Sequence, residues 1–348
     1  MSNPCLTINL DAVIGNWRAL DARSAQNVTT GAVVKANAYG LGLDKIARAL
    51  MAANVSTYFV ATAAEGAQLR ALTGPDPVIF VFCGHMSGDA SRIDANTLTP
   101  LLNSPEQFAR HMAELPAHSF GVQLDTGMSR LGFQPADWAA QRAKICAAKP
   151  TLLMSHLACA DEPDNPMNPR QLAAFHAMTD GVDLPRSLAA TGGILLGPDY
   201  HFDITRPGIG LYGGKPFADA APTVTLSIPV IQTRTVPPGG TVGYGNTWTA
   251  QVPTRVATIA AGYADGLPRA LSGKAQLFHK NQPCPAIGRV SMDMMAVDIS
   301  QLAETPDRLD IICQHQSIDD LATAAGTIGY EILTSLGPRH KRLYKGQQ

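Results

Sequence analysis

Between about residues 30 and 213, short β-branched or apolar runs alternate with longer, Ala-rich segments whose apolar residues recur at helical spacing. GAVVK (31–35), TYFVA (57–61), PVIFVF (77–82), TLTPLL (97–102), SFGVQL (119–124), TLLMSH (151–156), RSLAA (186–190) and FDITR (202–206) predict strands. Between them LGLDKIARALMAA, AAEGAQLRAL, PEQFARHMAEL, ADWAAQRAKICAA and NPRQLAAFHAMTD predict helices, the last opening with Asn168 as cap before Pro169. Repeated strand-helix units point to a (β/α)8 TIM-type barrel, with a doubly wound open sheet as the alternative.

After about residue 222 helical periodicity stops. Thr, Val and Ile dominate, and PPGG (237–240) separates the strand-like runs TVTLSIPVIQTRTV and RVATIAAGYADG. Only IDDLATAAG and YEILTSL, near the end, read as helical. The expected organisation is an α/β barrel over 1–222 and a mostly β domain over 223–348.

The 348 residues are 45% hydrophobic and 16% charged, with 27 Lys and Arg against 28 Asp and Glu, a net charge of −1. That balance has no field to gather phosphate backbones or anionic lipid, so neither nucleic acid nor membrane is an expected partner. Six cysteines without a C-x-x-C pair argue against a disulfide framework, and His156 and Cys159 lack a second pair to close a metal site, so no metal is expected. The N-terminus lacks a basic stretch followed by a long apolar one, and a cytoplasmic location is expected. The basic run Arg339, His340, Lys341, Arg342 and Lys345 reads as a solvated tail.

Lys35 closes the first predicted strand, at the barrel mouth where such folds keep reactive groups, and a desolvated lysine there can hold an aldehyde. By itself a strand-end lysine is more often a solvated charge. Residues 208–213, GIGLYG, spell G-x-G-x-x-G, but Pro216 follows almost at once and no acidic residue occurs between 220 and 264, so a dinucleotide site lacks its ribose-binding carboxylate. The segment is then either a plain glycine turn or a backbone cradle for one phosphate. A lysine joined to a phosphate cradle suits pyridoxal phosphate.

The motifs AVVKANAYGLG (32–42), LDTGMSRLGF (124–133), SHLACADE (155–162), ITRPGIGLYGG (204–214), AAGYADGLPR (260–269) and GRVSMDM (288–294) occur in this order, and through them nearly the whole chain resembles the alanine racemases. The resemblance implies a pyridoxal 5'-phosphate enzyme in which Lys35 forms the internal aldimine and acts as one of two bases. Tyr39, Thr191, Gly208 and Ile209 match the phosphate contacts, although the preceding family Asn is Ala190 here. Arg206 matches the arginine facing the pyridine nitrogen. A guanidinium carries only donors, so that nitrogen stays an unprotonated acceptor and the ring a weak electron sink. Tyr263 matches the opposite-face base, contributed by the second subunit, and His156, grouped with the cofactor contacts, matches the histidine linking that tyrosine to the arginine. Arg130, Met292 and Asp293 match the substrate-carboxylate site.

There are two departures. Gln123 stands where most relatives carry a carbamylated lysine, and its carbonyl is expected to accept from Arg130; Leu336 aligns with a tyrosine common in the family. The implied function is a homodimer with shared active sites that interconverts L- and D-alanine and feeds peptidoglycan synthesis. A broader-specificity racemase, a non-catalytic pyridoxal-phosphate-binding protein and a barrel decarboxylase are the alternatives. The second lacks a C-terminal β domain, and the third needs a carboxylate where Arg206 stands.

Overall fold

In a computed structural model that describes residues 3–346, the chain divides into a barrel unit (13–211 and 215–220) and a β unit (3–12, 212–214 and 221–346). The strands Ala32–Val33, Thr57–Val60, Val78–Val81, Thr99–Leu102, Gly121–Gln123, Leu153–Met154 and Arg186–Ser187 pair in parallel in that order. Each lies within one of the predicted runs. Thr57–Val60 and Thr99–Leu102 are buried at every position, which is why they read as unbroken apolar runs rather than alternating ones.

The eighth strand, Ile204–Thr205, pairs in parallel with Thr29–Thr30, and the Arg206 N–H donates to the Ala189 carbonyl at 2.9 Å. These contacts tie the last strand to both the first and the seventh, closing the (β/α)8 barrel and setting aside the open sheet. Phe108, Phe120, Phe133, Trp138 and Phe175 pack in the core between strands and helices.

The predicted helices form as Leu43–Ala52, Ala63–Thr73, Pro105–Glu114, Pro135–Ala147 and Met167–Thr179. Thr62 and Glu65 make a reciprocal capping box on Ala63–Thr73, and Ser104 caps Pro105–Glu114. Asn168 is not the cap expected of it. The helix begins at Met167, whose N–H goes to Asn165 Oδ1, and Asn168 lies inside the first turn donating to the Glu162 carbonyl.

In the β unit the 13-residue strand Val224–Val236, bulged between Val230 and Gln232, pairs with both Thr254–Ile259 and Arg308–Ile312. Met295–Asp298, Gln282–Ile287 and Gln276–His279 complete a closed ring of antiparallel strands. Cys5–Asn9 pairs with Val224–Val236, and Lys341–Lys345 pairs in parallel with Cys5–Asn9. The first residues, placed on the barrel side by the sequence, thus join the β unit. Lys341, Arg342 and Lys345 of the basic C-terminal run lie in this edge strand and Arg339 and His340 directly precede it, so the run is not a solvated tail.

Candidate active site

Lys35 follows the first barrel strand at its C-terminal end. Directly after it Ala36, Asn37, Ala38 and Tyr39 take φ values of 53°, 57°, 52° and 53°, followed by Gly40 at 83°. Each non-glycine residue held in this left-handed region costs about 1–2 kcal/mol. The turn persists because its backbone is tied down. The Ala36 N–H donates to Glu65 Oε1 at 2.7 Å, the Leu43 N–H to Asn37 Oδ1 at 2.8 Å, and the Ala38 N–H to the Val34 carbonyl at 2.9 Å. Tyr39, 5% exposed, is thereby set against Gly208, where any Cβ would collide with its hydroxyl. Lys35 Nζ stands 5.6 Å from the Phe82 ring centre, and Phe82 stacks on Phe59. Burial, reinforced by the Arg130 charge and opposed by Glu65, lowers the Lys35 pKa and enlarges its neutral, nucleophilic fraction.

The cradle is built after the last two strands. Thr191 Oγ1 accepts from the Gly208 N–H at 3.1 Å and the Gly210 N–H at 3.2 Å. Ile209–Tyr212 forms a short 3-10 turn, so GIGLYG does not open the long helix of a dinucleotide fold.

Arg206, 1% exposed, donates to Ser187 Oγ, to the Ser155 carbonyl at 2.8 Å and to the Leu188 carbonyl at 3.3 Å. Among the described residues no carboxylate pairs with it and its Nε–H has no partner. Burial pushes its pKa down to about 9, which leaves it a cation at neutral pH. His156 Nδ1 lies 3.5 Å from Arg206 Nη2. Burial together with Arg206, Arg130 and Lys35 pushes the His156 pKa down to about 3, so the imidazole is neutral. Gln171, fully buried, steadies this segment by donating to the His156 carbonyl at 3.0 Å and to Thr126 Oγ1 at 3.1 Å.

Arg130 rides on the loop after Gly121–Gln123. Asp125 Oδ1 shapes that loop by accepting the Gly127 N–H at 2.9 Å and the Ser129 N–H at 3.1 Å. The exposed guanidinium makes no hydrogen bond among the described residues and borders a cavity of about 570 Å³ that also involves Thr126, Gln134 and Arg170. Lys35 and Arg206 do not line that cavity. Gln123, 5% exposed, donates through Nε2 to the Leu131 carbonyl at 3.3 Å and makes no hydrogen bond to Arg130. The expected amide-guanidinium contact is therefore replaced by support of the loop backbone, because Gln123 is buried beneath the loop while the guanidinium is exposed.

In the β unit, Tyr263 opens the 3-10 turn Tyr263–Asp265 and is 43% exposed, with Met292 54% exposed. The Tyr263 N–H donates to the Ser291 carbonyl and the Ala264 N–H to the Met292 carbonyl, both at 3.0 Å. The approach is so close that a Cβ on Gly262 would strike the Ser291 carbonyl. Asp265, 3% exposed, accepts the Gly262 N–H at 2.9 Å. Arg339 clamps the assembly, with Nε on Asp265 Oδ1 at 2.8 Å, Nη2 on Asp265 Oδ2 at 3.0 Å and Nη1 on Asp293 Oδ1 at 2.7 Å. Asp293 is thus engaged by an arginine that the sequence reading left without a role.

Residues 8–216 match the family model described as the N-terminal domain of alanine racemase, and residues 223–344 match its C-terminal domain. The chain belongs to the alanine racemase family. An alanine racemase of Cereibacter sphaeroides (strain ATCC 17025) is 60% identical over 99% of both chains, and one of Rhizobium meliloti is 42% identical over 98% of this chain and 96% of its own. The crystal structure of alanine racemase from Bartonella henselae with covalently bound pyridoxal phosphate superposes with a TM-score of 0.95 at 35% identity, covering 99% of this chain and 100% of that one.

Within this racemase fold the barrel brings Lys35, Tyr39, His156, Thr191, Arg206, Gly208 and Ile209 to one end of its strands, while the β unit carries Tyr263, Met292 and Asp293 together. Leu336 is buried to 4% exposure, and Ala190 makes a parallel bridge to Arg206. The sequence reading missed Glu65, Gln171 and Arg339. For Arg339 a signal existed: Asp265 and Asp293 both fall inside family motifs, and a buried carboxylate calls for a cation.

Proposed function

We propose that this chain binds pyridoxal 5'-phosphate on Lys35 and, as a homodimer, interconverts L- and D-alanine, supplying D-alanine for peptidoglycan in the cytoplasm. The supporting observation is the barrel mouth itself. A buried arginine with no carboxylate partner among the described residues, a lysine of lowered pKa and amides gathered around Thr191 lie at the same end of the barrel. Such a site fits a ligand with an aldehyde, a ring nitrogen that can only accept, and a phosphate. Tyr39 and the Thr191, Gly208 and Ile209 corner would hold the phosphate, and Arg206 would donate to the ring nitrogen.

When bound, the cofactor supplies an electron-withdrawing ring that acidifies the α-proton of an attached amino acid. Inverting the stereocentre then requires one proton carrier on each face. Lys35 Nζ serves one face, its burial favouring the neutral amine that accepts a proton. Tyr263 of the partner subunit serves the other. The neutral His156 imidazole links that phenol to Arg206, and Arg130, with the backbone of the partner's Met292, holds the substrate carboxylate in a guanidinium fork. Arg206 has only donors and could not accept a hydrogen bond from a protonated ring nitrogen, so the ring would stay a weaker electron sink, which restrains side reactions that a stronger sink would permit.

Borohydride reduction of the cofactor-loaded protein followed by peptide mapping should place the pyridoxyl group on Lys35. Label on Lys45 or Lys215 instead would overturn the assignment.

A further inference from the structure

Glu65 does more than a helix cap requires. In a capping box the N3 carboxylate needs to reach only the N-cap amide. Here Oε2 accepts the Thr62 N–H at 3.3 Å and the Ala61 N–H at 2.7 Å, while Oε1 reaches across 29 positions of sequence to the Ala36 N–H at 2.7 Å. Ala61 directly follows the second barrel strand, and Ala36 is the first residue of the left-handed turn after Lys35. The carboxylate therefore locks that turn to the neighbouring strand. Local hydrogen bonds accepted by Val34, Ala36 and Asn37 hold parts of the turn, but four successive non-glycine residues at positive φ are costly, and the Glu65 contact adds a tie from a separate element.

We propose that Glu65 is a positioning residue for Lys35 and Tyr39: by holding the Ala36 amide it fixes the left-handed turn that sets the lysine at the barrel mouth and the Tyr39 hydroxyl against Gly208. The inference rests on the reading of Lys35 and Tyr39 as cofactor-holding residues. Both carboxylate oxygens act as acceptors, which sets the choice of variant. Glutamine keeps one acceptor oxygen and presents an NH2 group to the other amide, so Glu65→Gln cannot hold both sides. Thr62→Ala removes the other half of the capping box and leaves the Ala36 contact in place, separating capping from positioning.

The test compares Glu65→Gln, Glu65→Asp and Thr62→Ala with the wild-type full chain by hydrogen exchange of the peptide spanning 33–43 and by titration of the apoprotein with pyridoxal phosphate. Glu65→Gln should speed exchange in that peptide and weaken the cofactor Kd, each by about tenfold, the loss of one charge-assisted hydrogen bond. Glu65→Asp, which keeps the charge on a shorter arm, should show a smaller change in the same direction. Thr62→Ala should lower Tm while leaving exchange of 33–43 and the cofactor Kd at wild-type values. Identical behaviour of Glu65→Gln and Thr62→Ala, with wild-type exchange in 33–43, would reduce Glu65 to a helix cap and overturn the proposal. Borohydride label off Lys35 in the wild-type protein would instead fail the cofactor assignment, and the exchange of 33–43 would still decide whether Glu65 holds the turn.

Discussion

Gln123 sits in a barrel strand buried at every position and passes its amide hydrogen to the Leu131 carbonyl, on the loop that carries Arg130. Removing that neutral bond in Gln123→Ala should cost about 1 kcal/mol of loop order and raise KM for alanine about fivefold with little change in kcat. Activity should not respond to bicarbonate, because a glutamine cannot be carbamylated. Steady-state kinetics with and without bicarbonate check both statements, and an unchanged KM would dismiss Gln123 as the loop's support. At this scale the motifs made Lys35, Tyr39, Thr191, Gly208 and Arg206 legible. The partner of Gln123 was not, since a side-chain amide offers a donor and an acceptor and burial beneath the loop decides which is used. Glu65 was equally opaque, because its contact with Ala36 joins positions far apart in sequence.

Elements were legible where burial is uniform. The barrel strands read as apolar runs because both faces are covered, and the amphipathic helices read by period. Elements held by long-range pairing were not legible, as with the terminal strands Cys5–Asn9 and Lys341–Lys345, whose neighbours come from the opposite end of the chain. Arg339 precedes that last strand and spans the Tyr263 turn and the Met292 loop. Arg339→Ala should lower Tm and kcat together. Asp265→Asn should be the more damaging of the two acidic substitutions, because Asp265 is 3% exposed whereas the Asp293 side chain is 53% exposed. Thermal melts and kcat for the three variants test this order, and an Asp293→Asn loss equal to that of Asp265→Asn would contradict the burial argument.

For the molecule as a whole, the fully buried His111 and the partly buried His156 make stability fall in acid. Burial is the main cause that pushes His111 down to about 4 and His156 down to about 3, from an ordinary value of 6.5. Unfolding frees both to take up protons, so their contribution to stability is complete above pH 6.5 and falls as the pH drops toward the folded-state values. Each such group steepens the loss by up to about 1.4 kcal/mol per pH unit. Urea midpoints of wild type and His111→Gln between pH 7 and 4.5 should diverge, with the variant less acid-sensitive, and parallel curves would mean that His111 is charged in the folded protein.

The central claim is that the two proton carriers come from different chains. Mixing inactive Lys35→Ala with inactive Tyr263→Phe, under conditions of demonstrated subunit exchange, tests it directly. A mixed dimer holds one site with both lesions and one with neither, so full random exchange should restore about a quarter of wild-type activity. No recovery despite exchange would contradict the account and place both bases within one chain.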